Sequence, residues 1–575
     1  MVLLSAIYVV TQGLRARSNL ENMRADLVRL ESAAASSQPA PTINALAARV
    51  RSDADKAHSA TSGPIWSAWT HAPRIGVDLR IIRTGTQIVD DVAAHALPPV
   101  ASFAAQVPTL RHGTTINVNV LRQAAPGLVQ ADTAMQQANR QIADMPLANM
   151  SLTATLQQRL NDAVSRLGRQ VHALAAAAQV GPAMLGADGT RNYFVGVQNE
   201  AEGRASGGII SAYAFLTTDH GNIRLVHTGS DIELPEAHQP VIDIGPEFDH
   251  HYADFDATSD WRNATMTPDA SVSARIAAAL WHHVHPSAPK LDGVILVDSN
   301  VLADILTATG PVPGPDGVRL TANNVISLTL VDYYRLFPAK AARGDAFAGA
   351  AKGVFTAIQN GQGSLPRLVE RLGHSAVTNH LTVYSLHPRE EKVLRTTEVS
   401  GALPKRTAPF LEVVTQDVGA SKLSVYLHRH VAYTGNLASQ SIDLGDGKGP
   451  QPVEVGALTV TLRNSAPATG LPPYVTLRQD LPGDKSPVPG TERIYVSIYV
   501  GASGVFDGAK RDGHALSLES DTDEGLSVFS TTVELAPGQS TTLQLGITQP
   551  TSIGSVLTYR PQPLALPESA TISQG

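Results

Sequence analysis

The 575-residue chain contains no cysteine. That excludes disulfide-stapled scaffolds, thiol nucleophiles and cysteine-ligated zinc or iron–sulfur centres. The basic excess of a nucleic-acid-binding protein is also missing, since 44 Lys and Arg stand against 51 Asp and Glu, a net charge of −7. Aromatics make up only 5% of the chain, and residues 1–180 hold just Tyr8, Trp66, Trp69 and Phe103. The apolar run at the N-terminus, Val2–Val10, falls short of the ~20 residues that span a bilayer. What is present is 43% hydrophobic and 17% charged residues over a length that suits about three or four domains. An Ala-, Leu-, Arg- and Gln-rich front gives way near residue 180 to a glycine-bearing, strand-like rear, which predicts a multidomain α+β protein.

Two readings suit Val2–Val10: the end of a membrane anchor whose remainder precedes residue 1, or the apolar head of a helix. The first is preferred, because Leu20, Met23, Leu27 and Leu30, spaced 3, 4 and 3 apart, predict a long coiled-coil-like helix behind it. Residues 1–17 then end an anchor in the cell membrane, with the bulk of the chain extracytoplasmic. Residues 18–182 form an Ala-rich helical stalk or bundle, cut by Pro39, Pro41, Pro64, Pro73, Pro98 and Pro99. A second apolar stripe, Leu156, Leu160, Val164, Leu167, Val171 and Leu174, closes it.

Residues 183–405 read as a central α/β domain with a mixed sheet. Tyr193–Val197 and Ile209–Thr217 are apolar strands, and Asp219-His-Gly-Asn222 is a hairpin turn returning through Ile223–Val226. Between the first two strands, a loop carrying Asn199, Glu200, Glu202, Arg204 and Ser206 ahead of Gly207-Gly208 offers either a ligand-approaching segment or a salt-bridged connection. A polar turn with Asp260, Arg262 and Asn263 precedes a helix over 270–285. The strand Leu291–Val297 ends in Asp298, where open α/β sheets place ligands, and Asn300 is the expected cap of the helix after it.

The segments RNYFVGVQNEAEGRASGG, SDWRNATMTPD, LDGVILVD and VLADILTATGPV resemble an actinobacterial membrane-anchored family called domain of unknown function 4012, a likeness that implies a full anchor. More distantly, Arg204-Ala-Ser-Gly-Gly208, the hairpin and Gly229-Ser-Asp231 are similar in order to LytR-CpsA-Psr glycopolymer phosphotransferases. That resemblance implies transfer of a polymer from a polyprenyl pyrophosphate carrier, with Arg204, Asp231 and Glu202 catalytic. Asp231 and Glu202 would hold Mg2+, while Arg191, Asn199, Glu200, Ser206, Gly207, Gly208, Asp260, Arg262, Asn263 and Asp298 would bind ligand. The chain departs from the pattern where Gly207-Gly208 stands for Asp-Thr and Ser230 for Arg; Arg335 and Arg343 only faintly suggest its later arginines.

Two histidine groups, Asp249–Asp254 and His282–His285, suit either a metal or the surface. Glu200, Glu202, Asp231 and Asp260 leave a paired-carboxylate glycosidase open. Alternating segments after residue 406 predict an antiparallel, immunoglobulin-textured β-sandwich to about residue 560, with 561–575 a tail. The expected role is cell-envelope or exopolysaccharide assembly with a lipid-linked or cell-wall glycan as partner and no nucleic acid. The competing expectation is a non-catalytic binder of the glycan or its carrier.

Overall fold

The computed structural model describes residues 2–36, 38–404, 409–442, 449–481, 488–552 and 555–574. The boundary expected at 405–406 lies outside them. Two compact units emerge: residues 1–191 with 218–223 and 365–367, and the remainder.

The first unit is helical. Its main helices are α1 (Val2–Ala35), α2 (Ala40–Ser62), α3 (Gly76–His95), α4 (Val118–Ala143) and α5 (Ser151–Met184). The predicted seam is real at its end, where Leu30 and Ala33 of α1 bury with Ile43 and Leu46 of α2. The second stripe buries Val164 and Val171 against Ile81, Ile88 and Met135. The anchor expectation is overturned: among the described residues no helix is long and apolar enough to cross a membrane. The reason is local, because α1 runs from Val2 straight into Arg15, Arg17, Glu21, Arg24 and Asp26 without a break. Neither the transmembrane segment nor a localisation resting on it is retained.

The second unit holds most of a mixed sheet, with Arg191 and the 218–223 turn grouped in the first. Its strands β1 (Arg191–Arg204), β2 (Gly207–Asp219), β3 (Asn222–Ser230), β4 (Gly293–Val297) and β5 (Leu381–Ser385) lie in the order β3-β2-β1-β4-β5. β4 runs parallel to β1 and antiparallel to β5. Successive residues face opposite layers. Val195 and Val197 join a core with helices α6 (Ser299–Thr309) and α7 (Lys340–Gln359), whereas Phe194 packs on the other side with Trp261 and Trp281. Burying a ring such as Phe194, which is fully enclosed, is worth about 1.5–3 kcal/mol. His220 and Gly221 both take positive φ, so the β2–β3 turn has the twist tight hairpins require.

The anticipated loop over 198–208 is strand. β1 and β2 continue to a two-residue turn, Ala205-Ser206, and every residue from Tyr193 to Phe215 is buried. The glycine pair serves this closeness rather than a ligand. A Cβ on Gly208 would fall 2.0 Å from the Asn199 carbonyl oxygen, and one on Gly207, at φ +132°, would meet the Gln198 amide. Gly208→Ala is therefore expected to cost about 2–3 kcal/mol; an unchanged urea midpoint would refute this packing role.

Beside a two-residue pairing of Val312–Pro313 with Arg319–Leu320, two large sheets follow. One holds β6 (Phe410–Asp417), β9 (Glu492–Val500), β11 (Glu519–Asp523) and β12 (Leu526–Leu535), with Thr558–Tyr559 at its edge. The other holds β7 (Leu427–Ile442), β8 (Gln451–Asn464), β10 (Val505–Arg511), β13 (Ser540–Pro550) and β14 (Ser569–Gln574), with His514–Ala515 at its edge. Their alternating apolar residues share one core, including Val413, Val460, Ile498 and Leu543. The pairing is mixed rather than antiparallel throughout, since β6 is parallel to Thr558–Tyr559 and β7 to β14. The segment expected as a tail supplies β14.

Candidate functional site

Arg204, at the end of β1, is buried and saturated. Nε donates to the Arg262 carbonyl (3.1 Å), and Nη1 to the carbonyls of Gly203 (3.1 Å) and Asp417 (2.6 Å). Nη2 donates to Glu202 Oε1 (3.2 Å) and Asn263 Oδ1 (3.2 Å). Five donors meet five acceptors, so nothing is left for a pyrophosphate. The other oxygen of Glu202 receives Lys422 Nζ, and both residues are buried. Burial pushes the Glu202 carboxyl up, but the Lys422 and Arg204 charges outweigh it and hold it below its ordinary value.

The magnesium assignment does not fit this arrangement. Glu202 already has a cation on each oxygen, and Asp231 opens a short turn capped by Ser230, with Lys340 Nζ 3.9 Å away. The remaining expected ligands are likewise engaged. Asp260 clamps Arg262 Nε through both oxygens (3.0 and 2.9 Å), and Arg262 also pairs with Glu236. Asn263 donates to the Phe255 carbonyl (2.7 Å), Asn199 to Tyr334 Oη (3.0 Å), and Ser206 Oγ lies 3.0 Å from Ser273 Oγ. Arg191 opens β1 and is not among the residues drawn together. With Glu202 and Asp260 committed, the paired-carboxylate reading loses two of its four acids.

Two of the expected residues do meet, with a third that sequence reasoning missed. Val197 of β1 is level with Val297 of β4, and Val297 with Leu381 of β5. Extending that register puts Asp298 opposite His380, with Glu200 just beyond the level of Asp298. One ligand atom from each of Glu200, Asp298 and His380 lies within 4.8 Å of the other two. Asp298, not Asn300, caps α6: its Oδ1 accepts from the backbone N–H of Asn300 (2.9 Å) and Val301 (3.2 Å). Its Oδ2 bonds His380 Nδ1. Glu200 accepts from Ser299 Oγ (3.0 Å) and Asn300 Nδ2 (3.2 Å). Burial first, then the neighbouring Asp298 charge, raises the Glu200 carboxyl to about 8. Burial disfavours the charged form of His380, but Asp298 beside it raises its value overall. His380 had no local motif; the only signal was a polar residue directly before a short apolar strand.

Among the described residues, neither histidine group joins a set of three converging ligands. His251 Nδ1 pairs with Asp521 (3.2 Å), and the His285 ring packs on Trp281 at 4.2 Å. A separate open groove of about 770 Å³ runs along α7. Ala346, Gly349, Gly353 and Ala357 form a floor of small residues, Val312, Pro313 and Phe337 line its apolar wall, and Asp345, Lys352, Thr356 and Asn360 are polar members of its lining.

Fold and site thus define a protein with helices at the N-terminus and several mixed sheets behind them, one of which carries a buried carboxylate–histidine cluster. Residues 188–334 match the model of the family described as "Protein of unknown function (DUF4012)". The matched span includes Glu200 and Asp298; His380 and Lys422 lie beyond it. No curated protein matches the chain. A solved structure from Legionella pneumophila, provisionally described as a nutrient binding protein, is similar at 6% identity and a TM-score of 0.15. That similarity covers 25% of this chain and 43% of the other.

Proposed function

We propose that the chain is a non-catalytic binding protein for a lipid-linked glycan or its polyprenyl carrier, with a role in polysaccharide assembly. The observation that carries this reading is the groove along α7, whose volume lies in the range of ligand sites and whose apolar floor and polar members suit an apolar chain with a polar head. The β1–β3 meander with helices over its faces supports a transferase-like scaffold kept for binding, and the two facing sheets support a β-sandwich. Transfer chemistry is the weaker reading, because pyrophosphate needs convergent free cations and Arg204 and Lys422 are consumed internally.

The test uses the full chain and a fluorescent short-chain polyprenyl phosphate. The wild-type protein should bind saturably and leave the ligand intact. Gly349→Leu, which adds bulk at a glycine of the groove lining with its Cβ 3.4 Å from Pro315, should weaken binding by about tenfold or more. Equal affinity of the two proteins, or none in either, would overturn the groove assignment. Cleavage of a pyrophosphate analogue would restore the transfer reading.

A further inference from the structure

The β1–β2 hairpin buries two carboxylates two residues apart, and they are neutralised differently. Glu202 has Lys422 and Arg204 built against it. Glu200 faces a second buried carboxylate, Asp298, and among the described residues neither has a lysine or arginine partner; His380 is the one base paired with Asp298. A buried pair of acids with a single imidazole has room in its charge balance for a cation.

The structure assigns Glu200, Asp298 and His380 as ligands of one divalent transition-metal ion. Glu200 within β1, Asp298 directly after β4 and His380 directly before β5 come together where the three paired strands meet, so the convergence follows from the register of the sheet. Each carboxylate is already oriented by groups at the start of α6: Ser299 and Asn300 side chains for Glu200, and two backbone N–H groups for Asp298. Such outer contacts are what fix metal ligands in place. One imidazole nitrogen with carboxylate oxygens suits zinc or manganese better than magnesium or calcium, which favour oxygen alone. The site is independent of the groove and of any ligand in it.

Chelator-stripped full-length protein would be titrated by calorimetry with Zn2+ and Mn2+, with Mg2+ alongside. One Zn2+ or Mn2+ per chain is expected, with a rise in Tm, and much weaker Mg2+ binding. Glu200→Gln keeps the side chain's shape and removes the carboxylate ligand without unpairing a buried cation, so it should fold while losing at least about tenfold in affinity. His380→Ala should lose as much. X-ray absorption on the zinc form should show one imidazole nitrogen and carboxylate oxygens at about 2.0–2.2 Å. A His250→Ala/His282→Ala/His283→Ala variant should bind as the wild type does. Absence of saturable binding, wild-type affinity in Glu200→Gln, or loss confined to the triple-histidine variant would each overturn the assignment.

Discussion

Arg204→Ala is expected to lower the unfolding free energy of the second unit by about 3–5 kcal/mol, the range for breaking a buried ion pair from one side. The substitution removes five donors at once. It strips Glu202 of one of its two cations and leaves the carbonyls of Gly203, Arg262 and Asp417 without this partner inside the protein. The guanidinium is also the link that ties the hairpin end to the 260–263 turn and to the end of β6. Arg204→Lys should rescue little, because an ammonium cannot reproduce the planar fork that meets acceptors on several sides. Urea denaturation followed by tryptophan fluorescence checks this, since Trp261 is buried in the same unit. A loss below about 1 kcal/mol would instead indicate a guanidinium free to serve a ligand, the role the sequence motif implies.

The second large effect depends on pH. Asp523, at the end of β11, is fully buried and accepts hydrogen bonds from Tyr252 Oη (3.0 Å) and Tyr499 Oη (3.1 Å). Burial raises its carboxyl from 3.8 to about 7, with the two hydroxyls opposing the rise only in part. An acid whose folded value is raised holds its proton more tightly in the folded state. Its contribution is therefore whole below pH 3.8 and is lost as pH climbs towards 7, with no further loss above that. At about 1.36 kcal/mol per unit, the loss is on the order of 4 kcal/mol. Asp523→Asn mimics the protonated acid and still accepts both tyrosine bonds. It should match the wild type near pH 4 and exceed it by several kcal/mol at pH 8. Parallel stability curves for the two proteins between pH 4 and 8 would show that the carboxyl stays ionised throughout.

What could be read in the sequence were features written in neighbouring residues. Asp219-His-Gly-Asn222 announces its own turn, Leu291–Val297 its strand, and the alternation after residue 406 its sheets. Asp298 at a strand end was singled out by position alone, and Glu200 by the company of charges. The hairpin end defeated the same logic, because Asn-Glu-Ala-Glu-Gly-Arg looks solvated, whereas in the fold its charged side chains are buried and held by partners from distant segments, Lys422 on Glu202, Ser299 and Asn300 on Glu200, and Asn263 with the Asp417 carbonyl on Arg204. Lys422 lies 220 residues from Glu202, and His380 82 from Asp298. No local spacing encodes such partners. At the N-terminus the error ran the other way: an apolar run was extended into an anchor, while the charges that follow within α1 keep the helix from being apolar over a spanning length.

The parallel pairing of β7 with β14 joins His430 to Ser569, 139 residues later. During synthesis at about 5–20 residues per second, one long edge of β7 waits roughly 7–28 s for its neighbour after it has itself been made. An edge with free N–H and C=O groups is a template for pairing with another nascent chain. Polysomes, where copies emerge side by side, are therefore where this protein is most exposed to misassembly, and yield should respond to translation rate and to chaperone supply more than to the stability of the finished fold.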